Sequence, residues 1–346
     1  MLAVGETKKT KMTKKYDVTG MGNALVDIEF EVTESFLETN GIEKGLMTLV
    51  DEERQATLMA AIHTKTSKLQ CGGSAANTVI ALSQFGGKAF YCCKVGDDEL
   101  GRFFMEDLRE SGVNHNLDPY QLEKGITGKC LVMVTSDAER TMNTFLGITQ
   151  TFSEAQLNAA AIKDSKYLYI EGYLITSPNA REAMLEARKI ARENDVKVAL
   201  TFSDPAMVKY FGEGFQEVIG QGVDLLFANE EEAMRYTGTE TLLEAREAMK
   251  KLARHFVITQ GKNGAIIYDG DTFIDIEPYP TKAVDSNGAG DMFAGAFLYG
   301  ITNGHSYASS GKLASMAASK IVSQFGPRLT WQEAQEIRKR LQPEVE

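Results

Sequence analysis

This chain of 346 residues has only four cysteines, four histidines, seven prolines and one tryptophan. Cys71, Cys92, Cys93 and Cys130 contain no Cys-x-x-Cys pair, and Cys92–Cys93 sit in an apolar strand-like run, which argues against a zinc ribbon or dithiol redox centre. His63, His115, His255 and His305 are scattered, with no carboxylate or thiol at ligand spacing. There is no apolar run of membrane-spanning length and no signal peptide, so with free thiols the expected compartment is the cytoplasm. Positive charge is also short: 37 Lys plus Arg against 48 Asp plus Glu leave a net −11. Such a balance disfavours a general nucleic-acid or anionic-membrane binder. A Gly-x4-Gly-Lys-Ser/Thr loop is missing, which removes P-loop enzymes, and Gly20-x-Gly22 has Leu25 where a dinucleotide fingerprint needs its third glycine.

What remains is ordinary globular composition with no internal repeat or linker, so one α/β domain is expected over residues 16–340. Residues 1–15 carry Lys8, Lys9, Lys11, Lys14 and Lys15 against Glu6, and read as a flexible basic tail. A strand is expected at 16–22 and β-like runs at 24–32 and 46–50. Asp51 caps a helix through 68, and Gly72-Gly73 with a Ser74 cap feed another. Three short β-like runs fill 113–146. Strands at 167–171, 196–202, 225–228 and 256–260 then alternate with helices at 178–194, 213–221 and 230–254. That alternation implies parallel pairing with right-handed crossovers. A hairpin at Asp269-Gly270-Asp271 and three closing helices follow. The β-rich stretches 28–50 and 113–146 are expected to form a small lid.

The most specific segment is Val284 to Phe297, where Gly288-Ala289-Gly290 precede a helix with Phe293, Ala296 and Phe297 on its apolar stripe. Small residues let the amides of a helix start approach an anion closely. Asp291 follows at once: it either decorates a first turn or takes a proton from a hydroxyl attacking a phosphoryl group held there. Gly72-Gly73 alone reads as a turn, Glu230-Glu231-Glu232 as a solvated helix start, and Tyr173 as either core packing or a stacking surface. Arg140 is either a lid-side phosphate ligand or a surface arginine.

Asp285-Ser286-Asn287-Gly288-Ala289-Gly290-Asp291 resembles the C-terminal signature of the ribokinase-like (PfkB-type) carbohydrate and nucleoside kinases, with Ser286 where Thr is usual. The resemblance spans nearly the whole chain. It implies a three-layer α/β/α domain with a mostly parallel sheet and a β-rich lid. It implies an anion hole at Gly288, Ala289 and Gly290, and Asp291 as catalytic base. Gly72, Gly73 and Asn77 match the acceptor-binding Gly-Gly-x-x-x-Asn motif, and Asn23 and Asp27 the first substrate loop, Asp27 accepting from vicinal hydroxyls. Asn229 and Glu232 match an Asn-x-x-Glu element that acts on Mg²⁺ through waters, Asn229 also serving ATP. Thr259, Gly261, Gly264, Asp285 and Ser286 fall on the ATP side. The segments 20–27, 139–144, 169–173 and 227–230 look closest to the adenosine kinase-like branch, with Tyr173 stacking on a purine and Arg140 meeting the phosphoryl group. Ala206 departs from it, standing where a second aromatic is usual.

The function so implied is transfer of the γ-phosphate of ATP to a primary hydroxyl, the 5′-OH of adenosine. A sugar kinase (ribose, fructose or similar) is the alternative, and a non-catalytic nucleotide-binding protein a remote one. Implied cofactors are ATP and Mg²⁺, with a monovalent cation such as K⁺ near Asp285. The partners are small molecules in a monomer or dimer.

Overall fold

The computed structural model describes residues 13–62, 68–137 and 139–341. In chain order the strands are β1 (Tyr16–Met21), β2 (Leu25–Glu31), β3 (Met47–Leu49), β4 (Lys68–Gly72), β5 (Ala89–Cys92), β6 (Val113–His115) and β7 (Gly128–Val134). Then come β8 (Arg140–Phe145), β9 (Ser165–Ile170), β10 (Lys197–Thr201), β11 (Val223–Asn229), β12 (Ala253–Thr259), β13 (Ala265–Tyr268) and β14 (Phe273–Ile276). Nine form one sheet in the order β14-β13-β12-β11-β10-β9-β1-β5-β6. Pairing is parallel from β6 to β12, and the β13–β14 hairpin closes the other edge antiparallel.

Alternate residues of the central strands enter different cores, as strand period 2 requires. Tyr167 and Tyr169 of β9 face one apolar cluster, and Leu168 and Ile170 the other. Helices Ser74–Gln84, Ala289–Thr302 and Tyr307–Val322 cover the first face, and helices Pro178–Glu193 and Pro205–Ile219 the second. The result is the expected three-layer α/β/α arrangement. Across the carboxyl end of the sheet the order reverses around β1, which continues to β5 on one side and lies against β9 on the other. Such a switch point opens a crevice at the strand ends. Gly295 sets how closely the two helices flanking it approach: a Cβ there would lie 2.4 Å from the Thr78 carbonyl oxygen.

The second sheet has five strands, in the order β3-β8-β7-β2-β4. It differs from the expected lid bounds in two places. Val113–His115 joins the edge of the large sheet beside β5, and Lys68–Gly72 pairs antiparallel with β2. The helix begun at Asp51 is correspondingly shorter, Glu52–Ala61. The helix expected over 230–254 is two, Glu230–Thr237 and Leu242–Met249, the first ending at left-handed Gly238. Of the expected tail, residues 1–12 lie outside the described residues. Lys14 and Lys15 are tied down, through Lys14 Nζ to the Lys163 carbonyl and the Lys15 amide to Asp164. Among the described residues no helix is long and apolar enough to cross a membrane. All four cysteines are free and buried.

Candidate active site

A cavity of about 460 Å³ opens at the carboxyl ends of the large sheet, between it and the five-stranded sheet. Asn23 follows β1, Glu171 follows β9, Ser203 follows β10, Asn229 ends β11 and Thr259 ends β12; all line it. Asp27, Gly73, Asn77, Tyr173, Glu232, Gly288, Gly290 and Asp291 join them. Residues as far apart in sequence as Asn23 and Asp291 thus meet in one place.

Asp291 sits in the first turn of helix Ala289–Thr302, behind left-handed Gly288 at its N-cap. Its Oδ1 accepts a hydrogen bond from Ser74 Oγ at 2.7 Å and its Oδ2 one from Asn77 Nδ2 at 3.2 Å. Burial pushes its pKa up to about 6, with those two donors pulling against the shift. Ser74 is not the helix cap that the sequence suggests. Gly73 occupies the N-cap with no side-chain bond, and the Ser74 hydroxyl turns to Asp291 instead.

Two more acids share the space. Asp27, on β2, is raised to about 7 by burial, against the pull of Arg328 and Arg140. Gly72 leaves room for it, since a Cβ there would fall 2.1 Å from Asp27 Oδ1; Gly72 therefore shapes the site without lining the cavity. Glu171, only 1 % exposed, accepts from the Asn23 amide (3.2 Å), Asn23 Nδ2 (2.9 Å) and the Ala75 amide (2.8 Å). Burial raises it to about 7, the three donors opposing. Glu171 joins the loop after β1 to the start of helix Ser74–Gln84, and sequence reasoning missed it.

On the far side, Asn229 and Glu232 hold each other in a reciprocal capping box. The Asn229 amide donates to Glu232 Oε2 and the Glu232 amide to Asn229 Oδ1, both at 2.8 Å. Burial raises Glu232 to about 7. Tyr173 is half-buried, its hydroxyl 3.5 Å from Asp204 Oδ2. Ala206 is not in the cavity wall, whereas Met207 is.

Arg140, Asp285, Ser286, Ala289, Gly261 and Gly264 lie outside the lining. Arg140 is no surface arginine: it is 8 % exposed in its side chain and reaches Glu29 at 3.0 Å and Asp285 at 2.8 Å. Asp285 also accepts from the amides of Asn287 and Gly326. The pair ties the small sheet to the segment that leads into Gly288. Asn287, Ser203 and Asp204 also line the cavity: Asn287 lies inside the Asp285–Asp291 signature without having been singled out, Asp204 before Pro205 reads as a helix-capping pair, and Ser203's left-handed φ of 70° leaves no trace in sequence.

Residues 46–334 match the model of the pfkB family carbohydrate kinases. A probable sugar kinase from Rhizobium etli is 35 % identical and superposes with a TM-score of 0.87 over 95 % of this chain and 99 % of that one. Adenosine kinase from Sinorhizobium meliloti is likewise 35 % identical, with a TM-score of 0.86 over 94 % and 99 %. Adenosine kinase of Saccharomyces cerevisiae is 27 % identical over 330 residues, 89 % of this chain and 95 % of its own. With this fold, this cavity and a family match across most of its length, the chain belongs to the PfkB family of carbohydrate kinases.

Proposed function

We propose that this kinase phosphorylates the 5′-hydroxyl of a purine nucleoside, adenosine, with ATP as donor and Asp291 as base. The observation that carries the acceptor is the make-up of the cavity. The small sheet and the stretch following it contribute Leu25, Met47, Leu49, Met142 and Leu146, an apolar wall that suits a flat heterocycle. Asp27, Asn23 and Asn77 supply the polar groups a ribose needs. Tyr173 and Met207, from the large-sheet side, offer the purine a second surface.

In the reaction the hydroxyl oxygen forms a bond to the γ-phosphorus as the bond to the β–γ bridging oxygen breaks and ADP departs. The hydroxyl proton passes to the Asp291 carboxylate, so Asp291 must start ionised and activity must rise as pH climbs through about 6. Backbone amides at the start of helix Ala289–Thr302 face the charge on the transferring group. Mg²⁺ arriving with ATP neutralises phosphate charge. The residues fit a metal of that kind. The buried Glu232, one carboxylate oxygen already bonded to the Asn229 amide, suits an outer position that the ion would reach through water.

The direct test is ATP consumption with adenosine, inosine, guanosine, ribose and fructose. Adenosine should give the highest kcat/KM. A pentose or ketose preference would move the acceptor to the sugars, as the likeness to a probable sugar kinase allows. Background turnover throughout would sink this reading of the site.

A further inference from the structure

We infer that Ser74 is a positioning residue for the phosphoryl transfer, holding the Asp291 carboxylate in the orientation that faces the acceptor hydroxyl. The inference rests on Asp291 being the base. Ser74 stands first in its helix, where a hydroxyl would ordinarily serve the helix's own amides, and the cap position before it is a glycine with no side chain to offer. The hydroxyl instead spans 217 positions of sequence to reach Asp291 Oδ1, at the 2.7 Å expected of an O–H donor on a carboxylate.

The geometry completes itself from the other oxygen. Asn77, one turn along the same helix, donates to Oδ2, so the two carboxylate oxygens are gripped from one helix and the plane of the group is set. The grip is asymmetric, because the Asn77 bond is longer at 3.2 Å and its Oδ1 is buried with no partner of its own. Ser74 is thus the closer anchor. The helix start is itself pinned: the next residue, Ala75, gives its amide to buried Glu171, which also grips Asn23. A chain of bonds then runs from the substrate loop through Glu171 and the helix start to the base. Preorganised groups of this sort matter because displacement of about 1 Å at a reacting group costs orders of magnitude in rate.

The hydroxyl also acts on the proton affinity of the base. Facing Asp291 are Asp27 from β2, Glu171 at the end of β9, and the hydroxyls of Tyr169 and Tyr173; Arg140 and Arg328 face Asp27 in turn. In this acid-rich setting the donor from Ser74 favours the ionised form and opposes the rise caused by burial. Its removal leaves a base that is both less well aimed and harder to keep ionised near neutrality.

The experiment compares the parent enzyme with Ser74→Ala, Ser74→Thr and Asp291→Asn. It uses MgATP and adenosine, or whichever sugar of the panel turns over fastest. Ser74→Ala should lower kcat by roughly tenfold or more, the range for a hydrogen bond to a charged group. The acidic limb of kcat/KM should move to higher pH, because Asp27, Glu171 and Glu232 are unaltered in the variant and the difference reports Asp291. Ser74→Thr, which keeps the hydroxyl, should restore both. A purely structural tie between the two helices predicts lowered melting temperature with an unmoved limb, and that result overturns the inference. So does Ser74→Ala with parental kcat and limb while Asp291→Asn is inactive. Activity surviving in Asp291→Asn would overturn the base assignment itself, and this inference with it.

Discussion

On the proposed acceptor side of the cavity, Asp27, Glu171 and Asp291 carry pKa values raised by burial, and side-chain and backbone donors from distant parts of the sequence hold the last two in fixed orientations. On the proposed donor side stand Gly288, Gly290, Thr259 and the Asn229–Glu232 capping box, whose reciprocal hydrogen bonds join residues three apart. The contrast follows from what each side must bind. A neutral alcohol brings no charge, so the protein must supply the charge that activates it and stay rigid about where it lies. A triphosphate brings its own charge and its own metal, so amides and a helix start suffice. The net −11 of the chain is therefore no obstacle to ATP.

The largest break in that contrast should come from Asp291→Asn, which keeps shape but cannot take a proton. Steady-state turnover should fall by about 10²–10⁴-fold, the usual worth of a general base. A loss within tenfold would remove Asp291 from the chemistry. Next, Asp27→Asn should raise acceptor KM by roughly 10- to 100-fold, the scale of a charge-assisted hydrogen bond, and leave ATP KM alone. Equal changes in both constants would mean that the two sides are not separable.

A smaller effect is expected across the cavity. Glu232→Gln keeps one acceptor oxygen for the Asn229 amide but removes the charge, and should raise ATP KM by about tenfold or less with acceptor KM unchanged. Melting should drop only slightly, since most of the capping box survives. If Glu232→Gln matched Asp27→Asn in size and acted on the acceptor, the donor side would prove as dependent on side-chain charge as the other.

The same contrast explains what the sequence revealed. The proposed donor-side features are contiguous: Gly288 to Gly290 and Asn229 to Glu232 each lie within one turn, so a family resemblance can pick them out as short motifs, although Glu230-Glu231-Glu232 alone reads as a solvated helix start. Acceptor-side features depend on long-range closure. Ser74 looks like a cap because the competing partner lies on another helix, and Glu171 looks like a strand end because nothing nearby in sequence shows its three donors. The large sheet was legible from alternating strands and helices, which carry their pairing rule with them. The small sheet was less so. Lys68–Gly72 looks like the last residue of a helix and the loop after it until β2 offers it a partner, and Val113–His115 is strand-forming without any local sign of which sheet it will join.

The gentlest test is of stability against pH without ligands. Asp27, Glu171 and Glu232 titrate near 7 in the fold, well above the usual carboxylate range. A group whose pKa is raised by folding stabilises the fold fully below its unfolded pKa and loses that contribution as pH rises through the folded value. The melting temperature should therefore decline from about pH 5 to pH 8, over the window these three groups define. General repulsion among the surplus acids acts in the same direction, so the slope of the parent alone does not isolate the cavity. Glu171→Gln does, for it removes one titrating group and leaves the surface untouched. The variant should melt lower overall, because an amide nitrogen replaces an acceptor facing the Asn23 or Ala75 donors. Its decline between those pH values should nonetheless be shallower, by roughly 2 °C or more for a domain of this size. Parallel curves for parent and variant would mean that Glu171 is ionised throughout, and that the acceptor side holds its charge as readily as a surface would.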